Sequence, residues 1–348
     1  MKKLLPLSIL AIASFAQAEE PIYWTSGGTY GLGEFDEFAK AVDGVSTNEI
    51  TFTHNVKEKV LLTLDHDFEF VSKLNWQCTY IDPNNSKTNM FHMFMDVKNG
   101  ATVTFNDVAI SRARLITRGE ATNFAKAIFN KNGSYEKAFY NTHVTAGKNC
   151  TSLGSYTHLY NGSTLTSDHD FSLARIYIRT TSFTEKFNGK DIKVAGKIFV
   201  TNGATFTIDM FDGNNGGSSN DAYFFFGFGD ENTAETFKFT STDNLYSITN
   251  TINKRNDIVV FQDFCFGDTL MTRENLLADD TIKDSLLVEQ DGVVSTFKSL
   301  VDAGLINVDT TANEGFYTYT MIPEPSTYAG ILGALAIAFA FMRRQPRK

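Results

Sequence analysis

The sequence is short of proline, of cysteine and of positive charge, and each shortage carries information. Six prolines occur in 348 residues, and between Ile22 and Ile322 there is only Pro83. Proline cannot donate to a β-ladder, so a body almost free of it and rich in Thr, Val, Ile and Phe suits extensive sheet. Three cysteines, Cys78, Cys150 and Cys265, form no CxxC and no zinc spacing; they permit at most one internal disulfide and leave one thiol over. Lys and Arg number 31 against 40 Asp and Glu, a net charge of −9, which argues against nucleic acid as a partner because phosphate neutralisation needs a basic face. There is no G-x-S-x-G, and the six histidines include no H-E-x-x-H. Gly28-Thr29-Tyr30-Gly31-Leu32-Gly33 has the wrong spacing for a dinucleotide loop. No catalytic residue, metal site or cofactor is expected, and the chain reads as a non-enzyme. What it does have is a large apolar complement, 42% of residues with 31 Phe, enough for a sizeable core in one large or two modest domains.

The two ends read as addresses. Met1-Lys2-Lys3, an apolar run from Leu4 to Phe15 and then Ala16-Gln17-Ala18 make a signal peptide over residues 1–18, with Ala16 and Ala18 setting cleavage and export by the Sec route. The apolar run is shorter than the ~20 residues a membrane span needs. At the other end, over 322–348, Ile322-Pro323-Glu324-Pro325 is followed by an uncharged apolar stretch from Tyr328 to Met342 and a basic end beginning Arg343-Arg344. Two prolines make a stiff, extended grip for a processing enzyme, and the basic end holds the cytoplasmic orientation.

This tripartite tail resembles the PEP-CTERM sorting signal of Gram-negative bacteria. The resemblance implies that Pro323, Glu324 and Pro325 are recognised by an exosortase, a membrane transpeptidase-like enzyme. It implies a transmembrane helix held transiently in the inner membrane, and a final place at the cell surface or in the extracellular matrix beside exopolysaccharide, as in biofilms.

Within the body, two segments recur at one offset. Leu62-Thr63-Leu64-Asp65-His66-Asp67-Phe68 matches Leu165-Thr166-Ser167-Asp168-His169-Asp170-Phe171, and Asn99-Gly100-Ala101-Thr102-Val103-Thr104-Phe105 matches Asn202-Gly203-Ala204-Thr205-Phe206-Thr207-Ile208, both 103 residues apart. A shared offset points to a duplicated unit of about 100 residues within a β-rich body over 19–257. Alternation reads Leu62, Leu64, His66, Phe68 and Phe70 onto one face of a single strand, with Asp65 and Asp67 on the other. The expectation there is a solvated acidic face with the histidine packed inward. The three side chains could not then share a Ca²⁺. Phe91, Met93, Met95 and Val97 share a face that Ala101, Val103 and Phe105 continue after a Lys98-Asn99-Gly100 bend, where glycine supplies the left-handed conformation.

Two all-β architectures fit. One is a β-solenoid with small helical caps, the bend being a corner between successive strands. The other is a tandem of β-sandwich units of about 100 residues. Glu34 to Val42, Asp43-Gly44 and Ile50-Thr51-Phe52-Thr53 read as helix, turn and strand, which resembles the N-terminal cap of right-handed parallel β-helix surface proteins, and Val97 to Phe105 with Val108-Ala109-Ile110 resembles their coils. The right-handed parallel β-helix is the favoured form. Residues 258–321 read as a mixed C-terminal cap and stalk, with a helix over Val293 to Ala303 stopped by Gly304.

The polar loop from Asp209 to Asp230 lacks the spacing of a Ca²⁺ loop. Arg112, Arg114 and Arg175 are the kind of scattered residues a polysaccharide lyase or hydrolase would use, and Tyr23, Trp24 and Trp76 could stack on sugars. The expected function is an exosortase-sorted structural or adhesive surface protein associated with exopolysaccharide or another surface glycan. The alternatives are an extracellular polysaccharide lyase or hydrolase and a glycan-binding module.

Overall fold

The computed structural model describes residues 22–24, 28–30, 44–46, 49–54, 60–78, 91–111, 113–178, 182–212, 222–229, 233–242, 245, 257–278, 282 and 284–323. It is an all-β architecture of two sheets. The first sheet holds, in spatial order, β1 (Ile22–Trp24), β4 (Ile50–His54), β6 (Phe68–Cys78), β8 (Thr102–Ser111), β10 (Ala125–Phe129), β12 (Thr142–Ala146), β14 (Ser163–Ser167), β17 (Lys190–Val200), β19 (Ala222–Gly227), β21 (Ile258–Gln262), β23 (Leu286–Gln290) and β24 (Val293–Thr296). The second holds β2 (Gly28–Tyr30), β5 (Val60–Leu64), β7 (Phe91–Val97), β9 (Ala113–Arg118), β11 (Glu136–Tyr140), β13 (Tyr156–Tyr160), β15 (Phe171–Ile178), β18 (Thr205–Asp212), β20 (Thr236–Phe239), β22 (Thr269–Thr272), β26 (Tyr317–Met321) and β25 (Ile306–Asp309). Two short strands lie off these paths: β3 (Val45–Ser46) pairs with β6, and β16 (Thr184–Phe187) folds back on β17.

From β4 onward the two sheets are filled almost in alternation, so the chain crosses from one to the other at nearly every corner. Pairing along both main paths is parallel as far as β23 and β22, for example Phe70↔Phe105 and Phe105↔Phe129 in the first sheet. Parallel pairing excludes tandem antiparallel sandwiches. It continues past Ile258, and antiparallel closure begins with β24 on β23 and β26 on β22.

The core lies between the sheets and is built by register. Phe70, Phe105 and Phe129 stack in successive strands, with centroids 5.4 and 4.8 Å apart. Met93, Met95, Val97, Ala101, Val103 and Phe105 are all buried, as their shared face requires. Asn99 and Gly100 take φ of 59° and 66°, and the bend they make is a corner that carries the chain from β7 in the second sheet to β8 in the first.

Two expectations fail. Leu62 to Phe70 is not one strand: β5 ends at Leu64, β6 begins at Phe68 in the other sheet, and Asp65-His66-Asp67 is the exposed corner between them. His66 therefore points to solvent, because a corner suspends the two-residue alternation that would have turned it inward. The same holds for the Asp168-His169-Asp170 corner, although His169 there is half-buried. The helix over Val293 to Ala303 is also shorter. Val293–Thr296 is β24, and α1 (Phe297–Asp302) starts only after Thr296, whose hydroxyl accepts from the Ser299 N–H at 3.2 Å as its N-cap.

Among the described residues no helix is long and apolar enough to cross a membrane. The signal peptide over 1–18, the helix expected over Glu34 to Val42 and the apolar stretch from Tyr328 to Met342 lie outside the described residues.

Candidate functional site

Strand alternation on β11 sends Lys137 and Phe139 into the core and Glu136, Ala138 and Tyr140 to the outer face of the second sheet. Parallel register then brings unlike residues into rows across that face. Glu136 is paired with Arg114 on β9 and Tyr156 on β13, Ala138 with Ile116 and His158, and Tyr140 with Arg118 and Tyr160. The densest chemistry of the described residues is here.

Its centre is a line of four side chains on three consecutive strands. Glu136 Oε1 forms an ion pair with Arg114 Nη2 and sits 2.5 Å from His158 Nε2. His158 Nδ1 lies 3.3 Å from Tyr160 Oη. Burial would raise the Glu136 pKa, but hydrogen bonds and charge from His158 and Arg114 outweigh it and hold the carboxyl below its usual value. Rings close over the line: Tyr140 stacks on Tyr160 at 4.1 Å, and His158 on Tyr177 at 4.6 Å. Arg175 lies over the rings of Tyr156 and Tyr177 and donates to Tyr177 Oη at 2.9 Å. At the other edge Arg118 covers Phe94 and bonds Asp96 at 2.5 Å.

A tyrosine, histidine and carboxylate in series have the order of a proton relay. Here Tyr160 and Glu136 at the two ends are each 5% exposed, so neither end of the series meets solvent or a polymer. The arrangement ties three neighbouring strands together.

The inner side of the same strand is different. Lys137 is buried at 0% exposure and donates to the carbonyls of Leu153 at 2.6 Å and Ser134 at 3.0 Å. Burial drives its amine down to about 7, against a small opposing influence of Cys150. Burial likewise pushes the Cys150 thiol up to about 11. Cys150 and Cys265 are both buried.

The Asp-His-Asp corners turn out to be one structural device used twice. Asp67 Oδ1 accepts the Thr102 N–H at 2.7 Å, and Asp170 Oδ1 accepts the Thr205 N–H at 2.8 Å. The Lys98 N–H bonds Leu64 O, and the Thr201 N–H bonds Ser167 O, at 2.7 and 3.0 Å. The two repeated segments are therefore a corner and the next corner stacked on it. In both copies the ring Nδ1 meets the preceding aspartate, His66 to Asp65 at 2.9 Å and His169 to Asp168 at 2.8 Å, and among the described residues the second copy adds His169 Nε2 to Cys150 O at 2.9 Å. Burial lowers the His169 pKa, and the Asp168 carboxylate with that carbonyl more than reverses it.

Of the other residues singled out from sequence, Arg114 and Arg175 come onto one face, whereas Arg112 lies outside the described residues. Trp76 is a core residue at 2% exposure and offers no platform to a sugar. The side chains of Tyr23 and Trp24 are not described. Asp209 is engaged by the hydroxyls of Thr240 and Ser241, and 213–221 and Asp230 lie outside the described residues. No group of three or more His, Cys, Asp or Glu that could hold a metal occurs among the described residues. Ile322 is fixed to β25's neighbour Leu305 by a 2.9 Å backbone bond and Pro323 is the last described residue; Ala16, Ala18, Glu324, Pro325, Arg343 and Arg344 lie outside.

Glu136, His158 and Tyr160 were missed from sequence, yet a signal was there. Arg114 and Glu136 are register partners 22 residues apart; register partners on β11 and β13 are 20 apart, so His158, 22 residues after Glu136, reaches it diagonally from the next outward position. No protein family, no curated protein and no solved structure matches this chain.

Proposed function

We propose that the chain is an exported scaffold of the cell surface or extracellular matrix, its two parallel sheets forming a β-solenoid of the parallel β-helix kind, associated with exopolysaccharide. The observation that carries this reading is the closed layer on the second sheet. Arg114, Glu136, His158 and Tyr160 reach across three strands to bond one another, which stiffens the stack and leaves no reacting group presented. A stack in which each strand contacts only its neighbours suits an extended structural element. The terminal segments supply the route: cleavage after Ala18 at a site set by Ala16 and Ala18, recognition of Pro323-Glu324-Pro325 by an exosortase, and a transient anchor oriented by Arg343 and Arg344.

The test is light scattering of the host's exopolysaccharide with and without the processed protein. Growth of the scattering particles is the expected result. Progressive shortening of the polymer would make the protein a lyase or hydrolase and overturn the scaffold reading. Sorting has its own check, replacement of Pro323, Glu324 and Pro325 by alanine, which should leave the protein unprocessed and membrane-held; normal release would sink that assignment.

A further inference from the structure

Parallel register can stack like on like as readily as it sets Arg114 against Glu136. In the second sheet Thr205 pairs with Thr236 and Thr236 with Thr269. The residues just ahead of them, Ala204, Glu235 and Asp268, therefore occupy one position in three successive corners. The backbone joins these corners in series. Ala204 O accepts the Thr236 N–H at 3.0 Å, Glu235 O the Thr269 N–H at 2.9 Å, and Asp268 O the Met321 N–H at 3.1 Å. The Gly267 N–H in turn donates to Met321 O at 3.0 Å. Two acids are thus stacked next to β26, the antiparallel strand that follows β22 in the second sheet and carries the chain to Pro323.

Both acids are buried, Glu235 at 0% and Asp268 at 1% exposure. Asp268 Oδ1 accepts the Glu235 N–H at 2.9 Å, and its Oδ2 accepts the Cys265 N–H at 2.7 Å. Glu235 Oε1 accepts the Gly203 N–H at 2.9 Å and the Thr233 hydroxyl. Glu235 Oε2 is buried with no donor among the described residues. A buried carboxylate oxygen without a donor is costly, and a second carboxylate beside it adds to the cost unless one of the two is protonated. Burial pushes the Asp268 carboxyl up to about 7; its two backbone N–H bonds oppose this, and a side-chain hydrogen bond and the charge of Glu235 reinforce it. The other described groups around the pair carry no charge at neutral pH: Thr201 and Gly203 from the preceding corner, Thr233, Cys265, and Thr320 and Met321 from β26. Asp263, at the start of the Asp268 corner, feels Glu289 and Asp291 instead.

We propose that Glu235 and Asp268 share one proton, which Asp268 donates to Glu235 Oε2, and that this proton is a pH-sensitive latch on the docking of β26. While it is held, every oxygen of the pair has a donor and β26 stays bonded through Asp268 O and the Gly267 N–H. Its loss leaves two anions in one buried corner. They separate by moving the Asp268 segment, to which β26 is tied. In the unfolded chain an aspartate gives up its proton near pH ~3.9, so between about pH 4 and 7 the closed state holds the extra proton and its stability falls as pH rises. The latch does not depend on what the scaffold binds.

The experiment compares the protein with Glu235→Gln, whose amide keeps the Oε1 acceptor and donates permanently where the proton stood. Two NMR readouts are used, the carbon shift of the Asp268 carboxyl and backbone amide exchange. The wild-type carboxyl should titrate near neutral pH, and in Glu235→Gln it should titrate well below that. From pH 5 to 7 the opening constant at the Met321 and Gly267 amides should rise about fiftyfold more in wild type than in the variant. The same ratio at Ala127, on β10, should not change, because in a stack of strands opening at one end is local. A wild-type Asp268 that stays ionised down to the ordinary aspartate range would overturn the shared proton, and that readout stands even if the variant does not fold. An equal rise at Ala127 would overturn the latch. So would loss of the pH dependence on adding Ca²⁺, which would put a cation between the acids in place of the proton.

Discussion

The outer faces of the two sheets are made from the same repertoire of basic and aromatic residues and put it to opposite uses. On the second sheet every described cation of the central rows has an anion or ring close by: Arg114 has Glu136, Arg118 has Asp96 and Phe94, and Arg175 has Tyr156 and Tyr177. On the first, Lys126 and His143 reach solvent beside Lys197, with one carboxylate engaged nearby. The difference lies in what register places next to a cation. Glu136 falls between Arg114 and Tyr156, so charge is closed off within the sheet. Lys126 falls between Thr102 and His143, so charge is left facing outward. Charge is thereby closed off on one face and left open on the other.

Removing the closing anion should break the comparison most visibly. Glu136→Ala leaves Arg114 and His158 without it on a largely buried face, and a loss of about 3–5 kcal/mol in urea unfolding is expected. A loss below about 1 kcal/mol would show that the row does not depend on its closing carboxylate.

A second, smaller effect contrasts Glu136 with its inward neighbour. The Lys137 amine sits at about 7 in the folded chain against about 10.5 for an ordinary lysine, so between these limits the unfolded state binds more protons and stability rises with pH. Wild type should gain about 3 kcal/mol between pH 7.5 and 9.5 relative to Lys137→Met, judged from paired unfolding curves. Parallel curves for the two proteins would mean the amine is not held neutral by burial.

The smallest effect concerns the corners, which serve both faces alike. Asp67→Ala and Asp170→Ala each leave one backbone N–H without its carboxylate, and each should cost about 1 kcal/mol. Equal costs are expected because the bonds are equivalent, at 2.7 and 2.8 Å. A cost confined to Asp170 would trace instead to the extra His169–Cys150 bond.

Much of the strand content was legible, because Met93 to Phe105 alternates cleanly and Asn-Gly pairs supply the left-handed residues that a bend needs. The parallel pairing was hard to read because the spacing between partners varies. Ala127 pairs with Val144, 17 residues on, whereas Phe226 pairs with Phe261, 35 residues on, so no short period survives in the sequence. The Asp-His-Asp corners were misread since alternation continues across them in the letters while the backbone changes sheets. The Arg114–Glu136–His158 row was hidden for a different reason. Its members have unlike side chains, and only their equal spacing marks them, whereas identity was what exposed the 103-residue repeat.

That repeat has a consequence in its placement. Leu62 to Leu64 lie in the second sheet and Leu165 to Ser167 in the first; Thr102 to Phe105 lie in the first and Thr205 to Ile208 in the second. The second occurrence of the segment therefore sits in the opposite sheet from the first, with its corner bonds preserved. For such a chain the interchangeable unit is a single strand with its corner rather than a pair of strands. Inserting or removing one such unit would move every later strand into the other sheet.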